Sequence, residues 1–228
     1  MKLKTLTHAL VITGGMTNVG VSTVSAEAQQ VPSSAVACYL VGRVYFDATG
    51  NGQVAGYFSG INGIGGANSL FNGTPGESTA FFTFRSDTLT FTSLPSNGDI
   101  SLLLGSAGRY NIYYNPNPQG TTNWSNPDSF SADEKFPGHP IAQFMRPEFL
   151  DLQFESFSFS QHAITETLVA SQDFTFGGRK YNFNQLTPGG ITLYNYVSNT
   201  SVLVAGFSLV LPYAGNCIAV AGEDHSEQ

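Results

Sequence analysis

The side chains of this sequence best suited to recognising a ligand cluster around one loop. Between Asn115 and Pro140 the chain holds five prolines, few apolar residues and its only tryptophan, Trp124. Arg109, Tyr110, Tyr113 and Tyr114 stand just before this stretch, and His139 lies near its end in Phe-Pro-Gly-His-Pro. Tyr and Trp among Asn and Gln are the tools of sugar recognition, since flat rings stack on a pyranose and amides meet its hydroxyls. The same rings would also pin a long loop onto a sheet. A histidine held between prolines is rigidly presented and titrates near neutral pH, although such a position is more often structural. Arg109, Tyr110, Tyr113, Tyr114, Trp124 and His139 are therefore the candidate ligand-binding residues. No catalytic residue is assigned.

Other motifs fail on inspection. Asp47-x-Thr49-x-Asn51-Gly52 matches the start of a calcium loop, but its twelfth position is Phe58, where that loop needs a bidentate Glu. A β-turn is the expected reading. The glycine-rich run Gly60 to Gly66 lacks the Lys-Ser/Thr of a phosphate loop and the strand–helix setting of a dinucleotide site. There is no Gly-x-Ser-x-Gly elbow. His139, His162 and His225 are too far apart in sequence for a local metal pair. No metal or cofactor is expected. Glu148, Asp151, Glu155 and Glu166 supply carboxylates, but glycosidase chemistry needs two of them facing across a cleft, which spacing does not show. Arg85, Arg109 and Arg146 interrupt strand-like apolar runs. Each would either point into a barrel toward an anionic or carbonyl group, or point outward and blunt an edge; the outward position is expected for all three.

Composition narrows the class. Only 11% of the 228 residues are charged, against roughly 25% in average chains, so the polar surface is built from Ser, Thr, Asn, Gln and Gly. The net charge of −7 leaves no basic stripe for a nucleic-acid backbone or an anionic membrane. Residues 1–28 read as a signal peptide: Lys2 and Lys4, a diluted apolar run, then Ala26-Glu27-Ala28 with small residues at a cleavage spacing. No other window approaches the ~18 apolar residues of a membrane span. The expected location is extracellular, or periplasmic in a Gram-negative bacterium. There, Cys38 and Cys217, the only cysteines and near opposite ends of the mature chain, would form a disulfide; two buried free thiols are the alternative.

The elements that must position these residues are strands. Ala80, Phe82 and Phe84 share one face of an extended run, with Phe81, Thr83 and Arg85 on the other; Tyr110, Ile112 and Tyr114 alternate likewise with Arg109, Asn111 and Tyr113. Cys38 to Phe46 alternates too, placing Tyr39, Val41, Arg43 and Tyr45 opposite Leu40, Val44 and Phe46, and turns at 47–52 into Val54 to Ile61. Phe174 to Phe183 folds about Gly177-Gly178 as a tight hairpin. Ile191 to Val197 and Val202 to Leu211 form a last hairpin, Ala163 to Ala170 leans to strand, and Pro147 to Leu152 reads as one short helix started by its proline.

About ten strands with no sustained helical period predict an all-β fold: a single antiparallel β-barrel or β-sandwich with a long Asn/Pro-rich loop and at most one short helix. Residues 29–36 are its linker, 37–222 its domain and 223–228 an acidic tail. No family motif can be matched residue by residue. At the level of architecture such a barrel is compatible with lipocalin-like, dirigent-like or allene-oxide-cyclase-like folds, and fold does not fix function. Three functions follow as expectations. The first is a secreted, non-enzymatic protein that binds carbohydrate or a small apolar ligand through the aromatic 110–140 region. The second is a dirigent-like or allene-oxide-cyclase-like isomerase or cyclase. The third is a structural surface or matrix protein.

Overall fold

The structure, a computed structural model, describes residues 29–120, 122–131, 139–154 and 159–222. The leader and the acidic tail lie outside the described residues. Thirteen strands follow one another: β1 (Val36–Phe46), β2 (Gly52–Ile61), β3 (Phe82–Ser86), β4 (Phe91–Asn97), β5 (Ile100–Gly105), β6 (Gly108–Tyr114), β7 (Ala142–Arg146), β8 (Phe149–Phe154), β9 (Phe159–Ser171), β10 (Phe174–Phe176), β11 (Arg179–Tyr181), then the one-turn helix α1 (Phe183–Leu186), β12 (Ile191–Ser198) and β13 (Leu209–Ala219).

Eight of these strands close an antiparallel barrel in the order β1-β2-β3-β6-β7-β9-β12-β13, with β13 returning to β1. Closure depends on β9 pairing along its length with β12, from Ser198↔Phe159 to Ile191↔Glu166. The antiparallel group β4, β5 and β8 continues from β9 as an extension, joined to it by the single pairing Leu152↔Gln161. The disulfide Cys38–Cys217 joins β1 to β13 at directly opposed positions inside the barrel.

Period-two alternation sets what points inward. Leu40, Phe58, Phe82, Phe84, Ile112, Phe144, Ile164 and Leu193 are buried in a continuous apolar core. Gly42 and Gly56 face each other across β1 and β2. A Cβ on Gly42 would sit 2.4 Å from Tyr213 Cε1, and one on Gly56 2.5 Å from Phe84 Cζ. Two large rings thus lie flat against bare backbone. One barrel end is plugged by α1, whose N-cap Asn182 accepts from Asn184 N at 2.8 Å, and by the preceding linker: Val31, Phe183 and Leu186 are all buried. Val31 N also donates to Leu186 O at 2.9 Å.

The expected all-β architecture holds, with three local corrections. Residues 149–154 are a strand, not a helix: Phe149 to Phe154 pair with β5 throughout, and this ladder outweighs the proline and glutamate start signal. The single helix lies instead at 183–186. The last hairpin returns at Leu209 rather than Val202, and its strand runs on without a break through Ile218. Arg146, expected to face outward, is 3% exposed inside the barrel. The turn at 47–52 forms as expected, with Asp47 Oδ1 accepting from Thr49 N at 2.8 Å, Thr49 Oγ1 at 2.6 Å and Asn51 N at 3.0 Å. The Thr49 hydroxyl foremost holds the Asp47 carboxyl below its ordinary range.

Candidate functional site

The barrel interior changes character along its axis. Away from the plugged end, the inward positions turn polar: Tyr110 on β6, Arg146 on β7, Ser160, His162 and Glu166 on β9, Asn195 on β12 and Tyr213 on β13. The extension supplies a further wall there with Phe91, Phe149, Asp151 and Gln153.

Arg146 and Glu166 meet because Met145 pairs with Thr167 across β7 and β9, placing the next residue of each strand side by side. Arg146 Nε donates to Glu166 Oε1 at 2.6 Å, and the two side chains are 4% and 0% exposed. The guanidinium lies 5.6 Å from the Tyr110 ring and 5.4 Å from the Phe149 ring. Burial pushes the Glu166 carboxyl up from its ordinary range, and Arg146 pulls it back down. Burial likewise raises the Tyr110 and Tyr213 phenols far above theirs. Charges this deep lose several kcal/mol of hydration apiece, which is recovered only when the remaining lone pairs are also satisfied. Glu166 Oε2 has no partner.

A second group stands nearer the mouth. Asn195 lies opposite His162 across β12 and β9, with Nδ2 3.2 Å from Nε2. With the amide nitrogen as donor, Nε2 would accept and the ring proton would sit on Nδ1. That nitrogen faces Asp151 Oδ1 at 3.7 Å, too far for a hydrogen bond. Tyr110 Oη, Asp151 Oδ1, His162 Nδ1 and Asn195 Oδ1 are all buried without a partner, and all four side chains line one recess. Roughly nine in ten buried polar atoms in proteins are paired, so four exceptions on one wall mark a surface suited to a polar guest. The remaining wall is apolar: Val44, Phe46, Val54, Leu89, Val197 and Leu211. Counting its open mouth, the recess encloses about 580 Å³ of atom-free space.

The six candidate ligand-binding residues do not come together. Of them, Tyr110 alone lines the recess, and its ring stacks on Phe84 at 5.1 Å. Tyr114 also points inward, stacked on Phe82 at 5.1 Å and near Phe174. Tyr113 is buried on the outer face of β6. Trp124 lies outside the barrel against Phe130 at 4.9 Å and Tyr57 at 5.8 Å, with the Arg43 guanidinium 4.7 Å over its ring. Tyr45 Oη donates to the Trp124 carbonyl at 3.0 Å, and Thr83 Oγ1 donates to the Phe130 carbonyl at 2.6 Å. Residues 122–131 are thereby fastened across the outer wall over Tyr45, Ala55 and Val210. Arg109 is exposed, its backbone N donating to Asp87 Oδ2 at 3.0 Å. His139 is exposed ahead of β7.

Asn195 and Tyr213 were not legible as site residues. The available signal was an asparagine between Leu193 and Val197 on a buried face, and a His and Glu in step with Ile164 on β9. Among the described residues no three of His, Cys, Asp and Glu are grouped to hold a metal ion, and no helix is long and apolar enough to cross a membrane. No protein-family model, curated protein or solved structure matches the chain.

Proposed function

We propose that this protein is a secreted, disulfide-closed β-barrel that binds a small, largely apolar ligand, and that the recess at the polar end of the barrel is its site. The observation that carries this reading is the convergence of four unpartnered buried polar atoms on one cavity with otherwise apolar walls. Small-molecule sites have this composition, a greasy lining with a few placed polar groups. The disulfide, the low charge content and the leader-like first 28 residues support secretion. The aromatic loop contributes less than its composition promised, because Tyr113 is buried and Trp124 is packed between Tyr57 and Phe130. Among the described residues there, Tyr113 and Trp124 do not form an open pair of rings for a sugar.

The test is a screen of small apolar compounds against the chain from Gln29 onward, followed by methyl NMR. Saturable shifts confined to Val44, Val54, Leu89, Val197 and Leu211, abolished by the recess-filling Val197→Phe in a folded variant, are expected. Shifts located elsewhere, or binding untouched by Val197→Phe, would remove the recess as the site.

A second reading, an isomerase or cyclase of dirigent-like or allene-oxide-cyclase-like kind, is favoured by Arg146 and Asp151 sharing the recess wall with Tyr110. Mass spectrometry of a bound ligand after prolonged incubation separates the two. An isomeric product speaks for catalysis, and unchanged ligand for binding.

A further inference from the structure

Resting on the recess as a ligand site, the charges around it define the head group it takes. We propose that the recess selects ligands ending in an ammonium group, held by Asp151.

Arg146 is paired through Nε with the completely enclosed Glu166 at 2.6 Å, so the two together bring no net charge to attract an anionic head. Asp151 is in the opposite position. Its Oδ1 is buried and unpartnered on the recess wall, and its nearest basic group is His162 Nδ1 at 3.7 Å. The Asn195 amide nitrogen stands 3.2 Å from Nε2, and its donation there would call for a lone pair on Nε2 and a neutral ring. Asp151 Oδ1 therefore faces the recess without a hydrogen-bond partner among the described residues.

Two other unpartnered atoms point the same way. Asn195 Oδ1 is an acceptor, and the Tyr110 hydroxyl oxygen can accept. Both side chains are almost fully enclosed, at 3% and 1% exposure. An ammonium carries three donors and no acceptor, which matches the three unpartnered oxygens of Asp151, Asn195 and Tyr110. The Phe91, Phe149 and Tyr110 rings on that wall add faces that favour a cation. A carboxylate head would meet Asp151 as a like charge. A hydroxyl head brings a single donor and no charge. An alkyl body would lie against the apolar lining that includes Phe46 and Leu211.

The experiment is calorimetric titration of the chain from Gln29 onward with hexylamine, hexan-1-ol and hexanoate at neutral pH. Hexylamine is expected to bind about tenfold or more tighter than hexanol, the scale of a hydrogen bond to a charged group, with hexanoate weakest. Asp151→Asn should remove the amine's advantage over hexanol. Nitrogen NMR of His162 gives a readout that needs no variant, and a single proton, on Nδ1, is expected. An imidazolium there at neutral pH would overturn the proposal, since His162 would then neutralise Asp151. Equal binding of amine and alcohol, or tightest binding of hexanoate, would overturn it while leaving the recess as a site for other apolar ligands. If none of the three binds but screened apolar compounds still shift the recess methyls, the ammonium preference alone falls. If nothing binds the recess, both readings fall.

Discussion

Replacing Arg146 with methionine puts the electrostatics of the barrel to a quantitative test. Methionine has nearly the reach of arginine and is at home among Tyr110, Phe149 and Ile164, so the change chiefly removes a charge. Glu166 then remains with no exposure and no partner. Breaking a buried pair in this way costs about 3–5 kcal/mol. The carboxyl can escape part of that cost by taking up a proton, because each unit by which its pKa rises is worth about 1.4 kcal/mol. Burial already raises the Glu166 pKa in the native protein, and Arg146 foremost, with His162 behind it, opposes the rise, so the variant raises it further. A folded-state pKa above the unfolded value contributes stability that is complete below the unfolded pKa and is lost as pH rises through the folded one. Arg146→Met should accordingly lie closest to the native protein in acid, near and below the ordinary glutamate range, and fall furthest behind above neutrality. Urea denaturation at a series of pH values reads this directly. The double variant Arg146→Met/Glu166→Leu carries no buried charge and should recover most of the loss. A single-variant cost below about 1 kcal/mol at neutral pH, a cost independent of pH, or a double variant as unstable as the single would refute the reasoning.

Three other consequences are open to measurement. Replacing both Cys38 and Cys217 with alanine releases a link across a sequence separation of 179 residues. In the chain-entropy account that restores about 5 kcal/mol of unfolded-state freedom, seen as a fall in the denaturation midpoint that reducing agent no longer affects. Gly42→Ala should destabilise by about 1–3 kcal/mol through overpacking, because its Cβ would stand 2.4 Å from the Tyr213 ring; a gain in thermal stability would show that the ring moves aside freely. Trp124 emission should stay constant as the recess fills, since that ring lies on the outer wall against Phe130 and Tyr57; Trp124→Phe should leave ligand affinity unchanged in the same titration.

How much of this was legible in the sequence follows the range of the interactions. β1 and β2 could be read residue by residue, because Leu40 and Val44 alternate with Val41 and Arg43 and a local turn sets the return. The Gly177-Gly178 hairpin is equally local, with φ of 55° and 77° at its two glycines. The disulfide was legible from the location that the leader implied. Residues 149–154 were misread because Pro147 and Glu148 are genuine helix-start residues, and only pairing with β5 overrides them. The role of the aromatic loop stayed open in the sequence for a related reason. Tyr and Trp serve equally to hold a ligand and to seal a wall, and the choice is made by Tyr45, Tyr57 and Arg43 on strands far away in sequence.

The recess was hidden by the same non-locality, carried further. Polar residues at 160, 162 and 166 look like the solvent face of an edge strand until β12 pairs with β9 and turns that face inward. Asp151 joins them only because β8 folds back beside β9 at a single pairing. A barrel needing nothing but stability would fill these positions with Val, Leu and Phe, as it does at the plugged end around Phe144 and Leu193. Enclosing Arg146 with Glu166 and leaving four neighbouring polar atoms unpartnered costs stability that the disulfide and the ring-on-glycine packing supply from elsewhere in the barrel. The polar cluster at one end of an otherwise apolar barrel is therefore where function is to be sought.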